Sequence, residues 1–188
     1  TACSKCNKRF SIDGAESLLP ADVFQELAEK YLSIAYRNTL RFHQLNDLVA
    51  RLNDRDIPVI LLKGAHLAEF VYKDIALRPM SDLDILVREA HLFDAVQVAF
   101  DAGYRFFSDK KNAAEKKTND NYHFDILADS KHFQALIHPE TKCLLEIHCF
   151  IAASSGPFQV PASDLWDAAQ PALLNKTSVY LLSPEDIV

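Results

Sequence analysis

Apolar residues recur at helical spacing from Ala21 onward. Phe24, Leu27, Tyr31, Ala35, Phe42, Leu45, Leu48 and Leu52 fall on one stripe, which predicts one long helix or two joined ones over residues 21–54. The residues before it, broken by Gly14 and Pro20, read as irregular. After the stripe the pattern changes. Residues 58–62, Pro-Val-Ile-Leu-Leu, form the short continuous apolar run of a buried strand. Lys63-Gly64 punctuates it, and residues 65–72 read as a helix. A second strand is expected over 83–87, an amphipathic helix stopped by Gly103 over 89–102, and a third short strand over 104–107. Residues 108–121 are polar and aperiodic, the pattern of a loop. Three strand-like runs follow, at 122–128, 132–138 and 142–150, and their spacing predicts an antiparallel meander. A short helix near 164–169, a strand near 179–182 and a new helix capped by Ser183, with Pro184 at its first position, complete the pattern.

These elements describe an α/β (or α+β) protein: a mixed sheet flanked by helices over residues 57–188, preceded by an irregular and helical segment over 1–56. A chain of 188 residues suffices for one main core. Its 49% apolar and 24% charged residues are an ordinary globular balance. A net charge of −6 argues against a protein that grips nucleic-acid backbone, and Lys110, Lys111, Lys116 and Lys117 read as a solvated loop. No window reaches the roughly 18 to 20 apolar residues of a membrane span. The N-terminus lacks a signal-peptide pattern, and four cysteines fit a reducing compartment, so a cytoplasmic location is expected. The chain begins at Thr1 rather than Met and ends at what reads as the opening of a helix, the ends expected of a fragment of something longer.

The chemistry concentrates in Arg78-Pro-Met-Ser-Asp-Leu-Asp-Ile-Leu-Val87. Strand side chains alternate, so Asp82 and Asp84 share a face about 7 Å apart while Leu83 points to the core. Two carboxylates that close repel, and burying them uncompensated is costly. Divalent metals, typically about 4 Å apart in two-metal sites, remove that penalty. The bland alternative is a pair of solvated aspartates at a strand start. Upstream, a buried strand ends at Lys63-Gly64-Ala65 and runs directly into a helix. Gly64 permits a tight turn and close backbone approach, and the amides that open the helix favour a phosphate, with Lys63 as an added cation. An ordinary strand-to-helix turn is the competing reading.

Leu-Leu-Lys-Gly-Ala65, the helix ending at Tyr72, and Arg78-x-x-Ser-Asp-Leu-Asp-Ile-Leu-Val87 together resemble the nucleotidyltransferase-fold superfamily. In particular they are similar to an uncharacterised bacterial nucleotidyltransferase family with a Lys-Gly turn, an Arg and an Asp-x-Asp strand. Abortive-infection toxin and aminoglycoside nucleotidyltransferases share the general layout. The resemblance extends through Gly103-Tyr104, Leu145-Glu146-Ile147-His148, Leu165-Trp166 and Leu182-Ser183-Pro184-Glu185-Asp186, roughly residues 58–188. It implies a nucleotidyltransferase-like mixed sheet and Mg²⁺ or Mn²⁺ on Asp82, Asp84 and a third carboxylate from a later strand. It implies nucleotide contacts at Lys63, Gly64, Ala65, Arg78 and Ser81. The reaction implied moves a nucleoside monophosphate from an NTP to a hydroxyl-type acceptor, small molecule or protein, and releases pyrophosphate. Ala65 stands where the superfamily usually has serine, which removes a hydroxyl from the phosphate contacts and leaves the metal ligands intact.

Glu146 is the chosen third carboxylate. It interrupts an apolar strand and shares a face with Leu144 and His148, the latter a substrate or acid–base candidate. Asp125 is its rival. Arg78 either binds phosphates with its forked donors or pairs with Asp82 or Asp84. A zinc site would draw on Cys3, Cys6, Cys143, His148 and Cys149, but a single C-x-x-C lacks its second pair. Cys143 and Cys149 sit where small buried hydrophobes belong. Two other functions compete: a catalytically silent nucleotide-binding or protein-interaction module on the same fold, and a metal-dependent phosphohydrolase, for which the seven histidines form no motif.

Overall fold

The computed structural model describes residues 19–107, 134–151 and 161–187. The loop expected at 108–121, the strand at 122–128, the start of the 132–138 run, Asp125, Cys3 and Cys6 lie outside the described residues. Helix α1 (Ala21–Asn53) is a single 33-residue helix. Strand β1 (Ile60–Leu61) leads into α2 (Lys63–His66), which runs on as a π-helical stretch over Leu67–Val71. Strand β2 (Asp82–Leu86), a 3₁₀ turn at Glu89–His91 and α3 (Leu92–Asp101) come next. Gly103, at φ 98°, ends that helix in a conformation open to glycine. Then follow β3 (Arg105–Phe106), β4 (Leu136–Ile137), β5 (Leu144–His148), α4 (Ala162–Ala168), β6 (Gln170–Leu174), β7 (Thr177–Leu181) and a 3₁₀ turn at Pro184–Asp186.

Among the described residues seven strands make one mixed sheet in the order β3-β4-β5-β2-β1-β7-β6. Of the expected meander, the 132–138 and 142–150 runs pair antiparallel as β4 and β5, its 122–128 strand lies outside the described residues, and β3 from the separate 104–107 run pairs antiparallel on the far side of β4. β5 then lies parallel to β2, and β1 lies antiparallel to β2 and parallel to β7. Strand β6, which contains Pro171, was not expected. Proline is tolerated there since among the described residues β6 is an edge strand, paired with β7 alone. The helix expected after Ser183 is a 3₁₀ turn. The Ser183 hydroxyl donates to the Asp186 carboxylate at 2.7 Å and makes no bond to a helix amide.

Strand alternation divides the interior into two layers. Leu61, Leu83, Ile85, Val87, Leu145 and Ile147 face the main core, which Leu45, Leu48, Val49 and Leu52 of α1 and Ala95, Val96 and Ala99 of α3 fill from the same side. The opposite face carries a smaller cluster: Ile60, Leu62 and Leu86 under Leu165 and Trp166 of α4, with Leu182. Asp82, Asp84, Glu146 and His148 stand on this second face, in line with Leu86. No helix among the described residues is long and apolar enough to cross a membrane.

Only the second half of α1 enters the core, so the apolar stripe read along its whole length is half structural. Its earlier part serves the loop between the π-helical stretch and β2. Tyr31 donates to Asp74 Oδ2 at 2.8 Å, and Asp74 Oδ1 accepts the Ala76 amide at 2.9 Å. The buried Asn38 donates to the carbonyls of Ile75 (2.5 Å) and Arg78 (2.8 Å). Thus α1 fixes the backbone that delivers Asp82 to the sheet. Asn38→Ala leaves two carbonyls without their donor and is expected to cost about 1–3 kcal/mol. Denaturant unfolding measures that loss, and faster amide exchange confined to residues 72–81 distinguishes it from a general weakening of the core.

Candidate active site

The site begins with a register. In the parallel pair β2–β5, Asp84 lies opposite Glu146, Asp82 opposite Leu144, and Leu86 opposite His148. Adjacent strands run about 4.8 Å apart, so Asp84 and Glu146 are brought side by side without any loop having to place them. On the other side of β2, the Leu62 amide donates to the Asp84 carbonyl at 3.1 Å, and Lys63 therefore leaves β1 directly beside Asp84.

Lys63 has φ 42°, in the left-handed region that side chains seldom adopt. Gly64 does not supply the turn's unusual torsion; the neighbouring lysine does. Gly64 is needed for space: a Cβ there would stand 2.8 Å from Met80 Cγ. The turn aims the Lys63 ammonium at Asp84 Oδ1, with which it forms an ion pair, and at Glu146 Oε2, 3.6 Å away. The His148 Nε2 position is 2.9 Å from the same Asp84 oxygen and 3.6 Å from Glu146 Oε2. Asp84 and His148 are each 2% exposed at the side chain, whereas Glu146 (22%) and Lys63 (46%) reach toward solvent.

Burial works to raise the Asp84 pKa. Hydrogen bonds from His148 and Lys63, together with their charges, outweigh it and hold the carboxyl below its ordinary value. Burial pulls the Lys63 pKa down, but the bond to Asp84 and the charges of Asp84, Glu146 and Asp82 prevail and raise it. Asp82 is half-buried at the start of β2 and accepts the Ser81 hydroxyl at 2.8 Å. The Arg78 guanidinium donates to its neighbour's carbonyl, Pro79 O, at 2.8 Å. No ion pair joins it to Asp82 or Asp84 among the described residues; Lys63 fills that part. Ala65 is buried within the main core, away from the carboxylate-bearing face.

Among the described residues, donor atoms of Asp84, Glu146 and His148 all lie within 4.8 Å of one another, close enough to hold one metal ion. Asp82 stands outside that group. Cys143 and Cys149 are free and buried, and burial pushes both thiols up to about 11, which suits neither a zinc thiolate nor a nucleophile. The sequence indicated the carboxylates and His148 but not the Lys63–Asp84 pair. Its signal was there in the adjacency of a strand-ending lysine and an Asp-x-Asp strand, once the two strands are known to pair.

Residues 7–188 match the sequence profile of the family described as uncharacterised nucleotidyltransferase. The chain belongs to that nucleotidyltransferase family. The match takes in α1 as well as the sheet. Among curated proteins, none matches the sequence. Two solved structures share the fold. The crystal structure of ANT(2'')-Ia in complex with adenylyl-2''-tobramycin is 11% identical, covers 79% of this chain and 72% of that one, and has a TM-score of 0.50. The solution structure of the antibiotic-resistance factor ANT(2'')-Ia is 12% identical over 79% and 68%, with a TM-score of 0.51. Identities this low carry the nucleotidyltransferase fold and nothing finer.

Two outcomes follow from this geometry. Asp84, with its depressed pKa, contributes stability that is present above the ordinary aspartate value of about 3.9 and is lost as pH falls through the folded value. Lys63, with its raised pKa, contributes stability that is complete below the ordinary lysine value of about 10.4 and is lost as pH rises through the folded one. Lys63→Met is therefore expected to lower stability near neutral pH, by an amount that solvent screening at the half-exposed ammonium reduces, with the difference from wild type shrinking at both extremes in pH-dependent melts. Separately, Gly64→Ala is expected to cost about 1–3 kcal/mol by overpacking, and less in a Met80→Ala background than alone. A double-mutant cycle by urea unfolding reads that coupling.

Proposed function

We propose that this nucleotidyltransferase moves a nucleoside monophosphate from an NTP to a hydroxyl-type acceptor, releasing pyrophosphate, and that it depends on Mg²⁺ or Mn²⁺. The observation that carries the reading is the register of β2 and β5, which sets Asp84 beside Glu146 in a member of this family. A fold neighbour held with adenylyl-2''-tobramycin supports the same class of chemistry, an adenylyl group joined to an acceptor.

Asp82, Asp84 and Glu146 are the proposed metal ligands: Asp84 and Glu146 bring hard donor oxygens close enough for one ion, buried Asp84 has Lys63 as a cationic partner, and Asp82 follows on the same face of β2. When bound, divalent ions supply charge neutralisation at the phosphates and activation of the acceptor oxygen. The chain's own residues do the rest. Arg78 and Ser81, on the loop that α1 clamps, hold the triphosphate beside the Gly64 and Ala65 backbone. Lys63 balances the carboxylates and is within reach of a phosphate. The Glu146 carboxylate, more exposed than Asp84, accepts the proton of the attacking hydroxyl, while buried Asp84 keeps its charge through His148 and Lys63. Positioning and electrostatics of this kind need no covalent intermediate.

The second reading, a silent nucleotide-binding or protein-interaction module, draws on one observation: Ala65 stands where the superfamily usually has serine, so the turn lacks that hydroxyl. Titrating each NTP with Mg²⁺ or Mn²⁺ and following heat and pyrophosphate release separates the two. Metal-dependent binding with turnover, reduced at least about 100-fold in Asp84→Asn and Asp82→Asn, is the expected result. Absence of metal-dependent nucleotide binding in the wild type rejects the enzyme reading. Binding without pyrophosphate release across a broad acceptor panel supports the silent module.

A further inference from the structure

We propose that His148 is itself a metal ligand, and that with Asp84 and Glu146 it forms a mixed nitrogen–oxygen site preferring a first-row transition-metal dication such as Mn²⁺ over Mg²⁺. The proposal rests on the reading above and specifies its metal. Three features of the chain converge on it.

The first is donor geometry. Ligand atoms on one small dication, with bonds of about 2.1 Å, stand roughly 3 Å apart when adjacent. The His148 Nε2 atom is 2.9 Å from Asp84 Oδ1 and 3.6 Å from Glu146 Oε2, and the three donors lie within 4.8 Å of one another. Asp82, the other residue of the Asp-x-Asp pair, is not in this group. The side chains that converge are thus two carboxylates and an imidazole. Nε2 donates to Asp84 in one tautomer and presents a lone pair to a metal in the other.

The second feature is burial. Asp84 and His148 are each 2% exposed at the side chain, so an ion on them gives up much of its water shell. Mg²⁺ dehydrates reluctantly and keeps several waters, and it favours oxygen donors. Imidazole favours transition metals. Donor type and burial therefore act in the same direction.

The third is that the cleft already attracts a cation. The Lys63 ammonium sits on Asp84 Oδ1 and 3.6 Å from Glu146 Oε2, between the two oxygens a shared metal must take. A dication entering here displaces Lys63, which becomes available to the nucleotide's phosphates. Lys63 is a tethered competitor, and it lowers affinity for any ion that cannot repay its removal through the nitrogen ligand.

Calorimetric titration of the whole chain with MnCl₂ and with MgCl₂, and pulsed electron paramagnetic resonance of the Mn²⁺-loaded wild type, test this. Expected are an imidazole-nitrogen modulation on the Mn²⁺ signal and Mn²⁺ binding at least about tenfold tighter than Mg²⁺. His148→Gln, which offers an oxygen in place of Nε2, is expected to erase the modulation and lower the Mn²⁺/Mg²⁺ affinity ratio about tenfold or more. Lys63→Met is expected to raise Mn²⁺ affinity about tenfold. Mn²⁺ bound by the wild type without nitrogen modulation overturns the proposal whether or not His148→Gln folds, while leaving a metal-dependent transferase standing. An affinity ratio unchanged in folded His148→Gln does the same. No binding of either metal, with or without NTP, overturns the underlying functional reading too.

Discussion

One buried carboxylate sets the terms for the site. Asp84 lies in the middle of a sheet, and a lone charge there is costly enough that the fold must supply counter-charge or leave the group neutral. The fold supplies partners from both neighbouring strands, the Lys63 ammonium from the end of β1 and the His148 ring nitrogen at hydrogen-bond distance from the end of β5. That solution requires β1, β2 and β5 to be adjacent, β2 and β5 to be in the register that places Glu146 beside Asp84, and Lys63 to adopt a left-handed backbone. Removing any of these conditions leaves an uncompensated charge in the smaller of the two interior layers.

The requirement reaches into the surrounding architecture. A left-handed lysine with a glycine packed against Met80 ties the α2 turn to the loop that precedes β2. That loop is held in turn by Tyr31 and Asn38, from the part of α1 that contributes nothing to the core. The long N-terminal helix thus has two mechanical tasks along its length: Leu45 to Leu52 close the main core, and the earlier residues brace the approach to Asp82. Stability and site geometry are separated by sheet face, since the large apolar cluster lies on one side and the carboxylates with the small cluster on the other.

How much of this was legible follows from what kind of information each feature needs. Period and punctuation mark α1, α3 with its Gly103 stop, β2 and β5, because those signals are local. Alternation alone predicts that Asp82 and Asp84 share a face and that Glu146 and His148 share another. The register that joins the two faces into one site is a long-range fact, and no local pattern encodes it. For the same reason the antiparallel pairing of β4 with β5 was readable, whereas the second partner of β5 is a parallel strand far back in the chain. Pro171 concealed β6 because its tolerance depends on an edge position. The role of Lys63 was obscured by chemistry: a lysine after a strand and before a helix suggests an anion from solution, whereas here the anion is intramolecular. The same contact takes the place expected of Arg78, which makes no ion pair with Asp82 or Asp84 among the described residues and donates to Pro79 O instead.

The charges on this face also constrain how a nucleotide can approach. Asp82, Asp84 and Glu146 present three acidic side chains, and Lys63 and His148 offer at most two compensating charges, both directed at Asp84 and Glu146. A triphosphate brought to such a face meets net repulsion at short range, where screening is weak. On the proposed reading, dications bound with the nucleotide would relieve that repulsion and would leave Lys63 free to face the phosphates. Metal and nucleotide would then bind with positive coupling, each raising the other's affinity by the same factor. The tethered lysine would strengthen that coupling, because its ammonium would serve the carboxylates without a metal and the phosphates with one. A carboxylate site with its own counter-ion would therefore discriminate against metal alone or nucleotide alone more than a bare Asp-x-Asp pair does.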